Sequence, residues 1–280
     1  MQRRIVFCAD DLGISPGTNA GIRAAAMQGL VKETSFCVTG IAAKEGAQIA
    51  KELAPTLSVG LHLTFTLGRS LTGPLHGLTD DKGNFLPLAT TLKACLFNKT
   101  EADQVAREVE AQLTRLADLG VKPSHLNGHH HVHCFPGIRE SVIQAMSRWK
   151  IRWTRLPRER VGIHGLLSPR RILLARFANA FRAPSTELPM RHLPFVGLSI
   201  QDRADYRRLF LRTVDSLPAG DYEWMVHPRA EDDSFARLDH LQSGRGHHTH
   251  LELAALTDPE FVTSVVERGV QAACFADIQA

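Results

Sequence analysis

Short continuous apolar runs alternate along this chain with longer stretches in which apolar residues return every three or four positions. The first run, Ile5 through Ala9, predicts a strand buried on both faces, because a parallel strand covered by helices has no polar side. Residues 18–30 carry Ile22, Ala25, Ala26 and Gly29 on one side at helical spacing. Residues 34–39 and 57–64 read as strands, with a helix over 42–53 between them. Thr100, Glu101, Ala102 and Asp103 resemble a capping box. It opens a helix with Val105, Val109, Leu113 and Leu116 as its stripe and Gly120 at its end. Further on, the pattern predicts a strand over 124–133, a helix over 137–149 and a strand over 151–156. A basic amphipathic helix over 168–181, a helix over 205–217 and a strand over 222–226 follow. Thr257, Asp258, Pro259 and Glu260 cap a last helix that ends near Gly269, before a strand over 272–276. Stretches near 67–99 and 160–195 are irregular and read as insertions, the first rich in Gly, Pro and Thr and suited to shape a binding mouth.

Seven or eight strand–helix alternations without an internal repeat predict an α/β fold with a parallel sheet. At this repeat number the sheet closes or nearly closes into a (β/α) barrel, TIM-like or a distorted form of it, as a single domain over 1–280. The polar signatures fall where strands end: Asp10 and Asp11, His62, His129 and His227. In such barrels the loops after the strands build the active site.

Composition narrows the function classes. With 280 residues, 44% of them hydrophobic, there is ample material for a core. The net charge of +4 comes without a dense Lys/Arg run, which argues against a nucleic-acid partner. Five scattered cysteines with no CxxC pair indicate neither a disulfide framework nor a thiolate zinc site, and reduced thiols fit a cytoplasmic location. The N-terminus lacks the apolar core of a signal peptide, and no apolar run is long enough for membrane insertion.

Five of the fourteen histidines lie between Ser124 and His133. In an extended chain His125, Asn127, His129, His131 and His133 share one face and His130 takes the other. Neutral imidazole is a common metal ligand, and an internal position argues against a tag. Two adjacent carboxylates behind a buried strand, Asp10 and Asp11, are costly unless paired or metal-bound, although a helix cap or a salt bridge would also account for them. A lone histidine such as His62 in an apolar strand is commonly a satisfied core residue. With Asp11 and His129 it completes an Asp/His/His set that leaves metal positions free.

Ala9-Asp10-Asp11-Leu12-Gly13-Ile14-Ser15 with Asn19-Ala20-Gly21-Ile22, then Gly60-Leu61-His62-Leu63-Thr64, then His125 through His133 resemble, in order, the signatures of the YdjC/ChbG-like carbohydrate deacetylases. Arg155-Leu156-Pro157-Arg158-Glu159, His227-Pro228 and residues 253–259 are similar too, so the resemblance covers nearly the whole chain. It implies a polysaccharide-deacetylase-like barrel hydrolase that removes acetyl groups from acetylated amino sugars with one divalent metal ion. A branch of the family is associated with hopanoid biosynthesis, so the substrate need not be a chitin fragment. Position by position, the resemblance makes Asp11, His62 and His129 the metal ligands, Asp10 the base and His227 a candidate acid, with a structural role before Pro228 as the alternative. One departure stands out: Asn127 replaces the Asp common in the family, which removes a charge behind a ligand.

The expected reaction is metal-assisted amide hydrolysis, with Asp10 taking a proton from water and His227 returning one to the leaving amine. Arg155 would hold Asp10 ionised, unless it is a solvated arginine. Asn19 would bond the active-site loop or serve the helix's first turn. His131 and His133 would line the pocket or support the ligands. His247, His248 and His250 read as an exposed loop, and Trp149, Trp153 and Trp224 as packing residues. Mg2+ and Zn2+ are both candidates, with Mn2+ or Co2+ compatible. The partner is an acetylated sugar, and a homodimer is compatible with the sequence. The rivals are another metal-dependent amidohydrolase or phosphoesterase on a β/α barrel, and a non-catalytic metal- or sugar-binding protein.

Overall fold

The computed structural model describes residues 2–159, 169–181, 189–234 and 248–278. Among these residues eight parallel strands form one sheet: β1 (Arg3–Leu12), β2 (Val31–Phe36), β3 (Ser58–Leu63), β4 (His125–Gly128), β5 (Trp153–Thr154), β6 (Phe195–Val196), β7 (Gly220–Val226) and β8 (Val270–Ala272). Seven of them run in the order β5-β4-β3-β2-β1-β7-β6. β8 pairs with Arg3 to Ile5 of β1, below Phe7, where pairing with β2 begins. Two isolated parallel bridges, Trp153 to Arg191 and Glu159 to Phe195, draw the β5 and β6 edges together. The expected α/β barrel is therefore present in its distorted form, a half-barrel pulled towards closure by loops.

Among the described residues the helices are α1 (Pro16–Met27), α2 (Ala43–Glu52), α3 (Leu88–Leu96), α4 (Ala102–Asp118), α5 (Arg139–Arg148), α6 (Pro169–Ala180), α7 (Tyr206–Ser216), α8 (Thr249–Leu256) and α9 (Pro259–Glu267). α4 buries Val105, Val109, Leu113 and Leu116, the stripe its spacing predicts. One apolar cluster runs from Ile5 to Val270 and joins strands to covering helices.

Several boundaries differ from expectation for local reasons. α1 begins at Pro16, because Ser15 accepts the Thr18 N–H as N-cap and proline suits the first turn. The capping box at residues 100–103 does not form: Glu101 is the N-cap of α4 and makes no side-chain capping bond. β2 starts at Val31, earlier than predicted, and the last strand lies at 270–272, followed by a 3-10 turn at Phe275–Asp277. The 67–99 insertion contains α3 and two antiparallel bridges, and a buried Glu108 on α4 pins it. The Glu108 carboxylate accepts from the hydroxyls of Ser70 and Thr72, each at 2.8 Å, and from the N–H groups of Leu71 and Thr72, each at 3.0 Å. The 160–195 insertion lies partly outside the described residues, as does His247. His248 is the N-cap of α8 and exposed His250 lies in its first turn, so neither belongs to a free loop.

Candidate metal and catalytic site

Asp10 and Asp11 lie inside β1, and both are buried. In a regular strand they would face opposite ways. The pairing with β2 shifts register between Ala9 and Leu12, and Asp11 takes φ 79°, so the strand bulges and both carboxylates enter the site. Gly13 follows with φ 88°. An added Cβ there would lie 2.4 Å from the Phe36 ring, so only glycine fits. Asn19 locks this turn by accepting the Gly13 N–H at 2.7 Å and donating to Ala42 O at 3.1 Å and Glu45 Oε2 at 2.8 Å. Its role is loop fixation rather than support of the first helical turn.

The histidine stretch is a strand only through Gly128. His130 and His131 take left-handed φ of 54° and 61°, which turn the chain and end the alternation of faces. His125, Asn127, His129, His131 and His133 consequently do not share one face. His129 reaches Asp11, with Nδ1 3.0 Å from Oδ1. His130 Nδ1 lies 3.0 Å from Thr66 Oγ1. His133 Nε2 donates to Arg155 O at 2.8 Å, and burial lowers the pKa of this imidazole to about 3, so it is neutral. His131 packs edge-on against Phe195, with ring centroids 5.9 Å apart.

His62 completes the cluster. The register of β3 with β4 places it beside Asn127, and the His62 Nδ1–H donates to Asn127 Oδ1 at 2.6 Å. This leaves Nε2 with its lone pair 3.0 Å from Asp11 Oδ1. Ligating atoms of Asp11, His62 and His129 all lie within 4.8 Å of one another, and all three residues are buried. Two imidazoles and a carboxylate converging in a buried site form a donor set that suits a divalent cation. The residues therefore fit one divalent metal ion. Burial raises the Asp11 pKa, but His129 and His62 reverse this and hold it well below the usual carboxylate range.

Asp10 faces a different set of groups. The Arg155 Nη1 donates to Oδ2 and Nη2 donates to Oδ1 at 2.9 Å, while Nε donates to Glu223 Oε1 at 2.6 Å. Arg155 and Glu223 are fully buried. The Ser35 hydroxyl donates to Asp10 Oδ1 at 2.8 Å, and Asn127 Nδ2 donates to the same oxygen at 3.3 Å. Burial raises the Asp10 pKa, but the Arg155 charge, with His62 behind it, outweighs this and keeps the carboxyl ionised far below its ordinary range. Asn127 thus links two functional residues by accepting from His62 and donating to Asp10, which a carboxylate in its place could not do.

His227 follows β7, with Nε2 3.9 Å from Asp10 Oδ2 and Nδ1 3.3 Å from Gln201 Nε2. Its backbone N–H donates to Glu252 Oε2 at 2.7 Å. Burial lowers the pKa of His227, and Asp11 and Asp10 oppose this only in part.

All six residues expected from the sequence thus meet at one end of the barrel. His125 does not join them: its Nδ1 lies 3.1 Å from buried Glu33 and its ring 4.9 Å from that of Phe275. Trp224 stacks on Phe210 in the core, Trp153 stacks on Phe275, and Trp149 Nε1 donates to Glu110 at 2.7 Å. Sequence reasoning missed Ser35, Glu223, Gln201 and Glu252. Glu223 carried a signal, a lone charge inside the apolar run of β7. Glu252 carried the same signal, a lone charge among Leu251, Leu253, Ala254, Ala255 and Leu256, whereas Ser35 and Gln201 carried none.

Fold and site together define a β/α-barrel enzyme with a candidate metal centre. The chain belongs to the YdjC-like protein family, whose model matches residues 4–267. It is 31% identical to a chitooligosaccharide deacetylase from Enterobacter sp. (strain 638), over 99% of this chain and 100% of that one. A carbohydrate deacetylase from Geobacillus stearothermophilus is 31% identical over 97% of this chain and 96% of its own length. A carbohydrate deacetylase from Mus musculus is 34% identical over 80% of this chain and 77% of its own. A crystal structure from Enterococcus faecalis V583, described provisionally as a cellobiose-phosphate cleavage protein, shares the fold with TM-score 0.73 at 22% identity over 99% of each chain.

Proposed function

We propose that this chain is a hydrolase that removes acetyl groups from N-acetylated amino sugars or oligosaccharides, using one divalent metal ion. The observation that carries the reading is the meeting, at one barrel end, of the Asp11, His62 and His129 cluster with an ionised Asp10 and with His227. The names of relatives matched over nearly the full chain support the substrate class.

Asp11, His62 and His129 would hold the ion, which would supply Lewis acidity to a water and to the acetyl carbonyl. Asp10 is the general base. Arg155 holds its carboxylate in the ionised form and fixes its orientation. So stabilised a carboxylate is a weak base, so it accepts a proton from water only because the site makes that water acidic. His227, across from Asp10, protonates the amine nitrogen as the C–N bond breaks. An amine leaves poorly without that proton. Two imidazoles and one carboxylate suit Zn2+, Co2+ or Mn2+ at least as well as Mg2+.

Asp10→Asn tests the division of labour. Calorimetric titration with Zn2+ or Mn2+ should show the ion still bound, while kcat falls by about 10²- to 10⁴-fold. Unchanged turnover would remove Asp10 from the mechanism, and loss of the ion would make it a ligand.

A further inference from the structure

His227 sits between two supports that come from neither the metal cluster nor Asp10. On one side α8 brings buried Glu252 to its backbone N–H. On the other, the turn after β6 brings the Gln201 carboxamide to its Nδ1. That turn is tightly held. The Gly197 N–H and the Ser199 hydroxyl both donate to Glu159 Oε1, at 2.9 and 3.0 Å. The Gln201 N–H donates to Gly197 O at 3.1 Å, and Asp202 Oδ1 accepts the His248 N–H at 2.8 Å. Gly197 has φ 116°, and a Cβ on it would lie 2.5 Å from Met225 O. Glycine thus lets the turn lie against β7 two residues before His227.

We propose that Gln201 is a positioning residue for His227: its carboxamide engages Nδ1, fixes the ring so that Nε2 faces Asp10 and the reacting centre, and, being uncharged, leaves the imidazole a ready proton donor. The inference rests on the assignment of His227 as the acid. A carboxylate at Nδ1 would stabilise the imidazolium and make it a weaker acid, whereas an amide accepts or donates without adding charge. The imidazolium gives its Nε2 proton to the amine nitrogen, and the C–N bonding pair leaves with that nitrogen. The imidazolium and the neutral ring left after transfer both carry a proton on Nδ1, so the Gln201 amide, whose nitrogen donates to Nδ1 while the ring is neutral and protonated on Nε2, turns its oxygen to accept that proton when the ring is charged. The other charged and titratable groups around His227 are Asp10 and Asp11 from β1, His62 from β3, Arg155 beyond β5, and Glu252 from α8. Burial pushes Glu252 up to about 7. Q201E therefore adds a negative charge at Nδ1 while Glu252 titrates in the same pH range in wild type and variant alike, so the difference between the two His227 titrations reports the Gln201 side chain.

The test compares the wild-type metal-loaded protein with Q201E and Q201L. Histidine side-chain NMR gives the pKa of His227, and the pH dependence of kcat/KM is measured on an N-acetylated sugar. In Q201E the His227 titration should move up by about one unit or more, and the alkaline limb of kcat/KM should move up with it. In Q201L kcat should fall about tenfold or more with KM within about threefold, because orientation is lost and substrate contact is not. An unmoved His227 titration in Q201E, or a rise in KM alone in Q201L, would overturn the proposal. If the wild type releases no acetate from any sugar, the deacetylase reading fails, and the NMR titration still decides whether Gln201 governs His227.

Discussion

Replacing Arg155 by methionine should cost about 3–5 kcal/mol of stability, because it leaves buried charge without a partner. The guanidinium is fully buried and binds two carboxylates, donating to both oxygens of Asp10 and to Oε1 of Glu223. Methionine fills much of the same volume, so little of the loss comes from a cavity. What remains is Asp10 and Glu223 facing each other in the barrel with no cation between them. Some of the cost is avoided by protonation, since burial already raises the pKa of Glu223 and would then raise that of Asp10 too. Urea unfolding of the metal-loaded protein at neutral pH measures the effect. Adding Glu223→Leu to Arg155→Met removes one of the two orphaned charges and should recover about 1–2 kcal/mol of the loss. A loss below about 1 kcal/mol for Arg155→Met, with no recovery in the double variant, would refute the reasoning, because it would mean that the triad is solvated rather than buried.

Further outcomes follow from the same geometry. His62→Ala and His129→Ala should each abolish stoichiometric Zn2+ binding in calorimetry, while His125→Ala, remote from the cluster, should leave it intact. Asn127→Asp should tighten Zn2+ binding about tenfold, since a carboxylate behind His62 makes it a more basic ligand; unchanged or weaker binding would show that repulsion from Asp10 dominates. Asp10 and Asp11 have folded pKa values below their unfolded ones, so the stability they contribute is present above the unfolded carboxylate pKa of about 4 and is lost as pH falls through the folded values. Acid unfolding of the variant Asp10→Asn should lack that component. Gly197→Ala should lower stability by about 1–3 kcal/mol and reduce kcat, measured by urea unfolding and turnover together, because the new Cβ meets the β7 backbone beside His227.

The reach of the sequence follows from these contacts. The parallel barrel was legible because period-two and period-3.6 patterns report burial directly, and the stripe on α4 appears as read. The site residues were legible because charges and imidazoles at the ends of apolar strands are costly without a purpose, as with Asp10, Asp11 and His62. The alternating face of the histidine stretch failed because two left-handed residues, His130 and His131, carry no sequence mark of the kind glycine gives. The bulge at Asp11 was hidden for the same reason. The roles of Gln201 and Glu252 were hidden because a turn after β6 and the helix α8 bring them to His227, and only tertiary structure shows that meeting.

The central claim, that the metal cluster and the Asp10–His227 pair together hydrolyse an acetamide, is tested most directly by acetate release. The protein is stripped with a chelator, given back one divalent metal at a time, and offered a panel of N-acetylated sugars. The account predicts no release from the stripped protein, and release restored by Zn2+, Co2+, Mn2+ or Mg2+ on at least one sugar. Undiminished release from the stripped protein, or none from folded protein with metal bound, would contradict it.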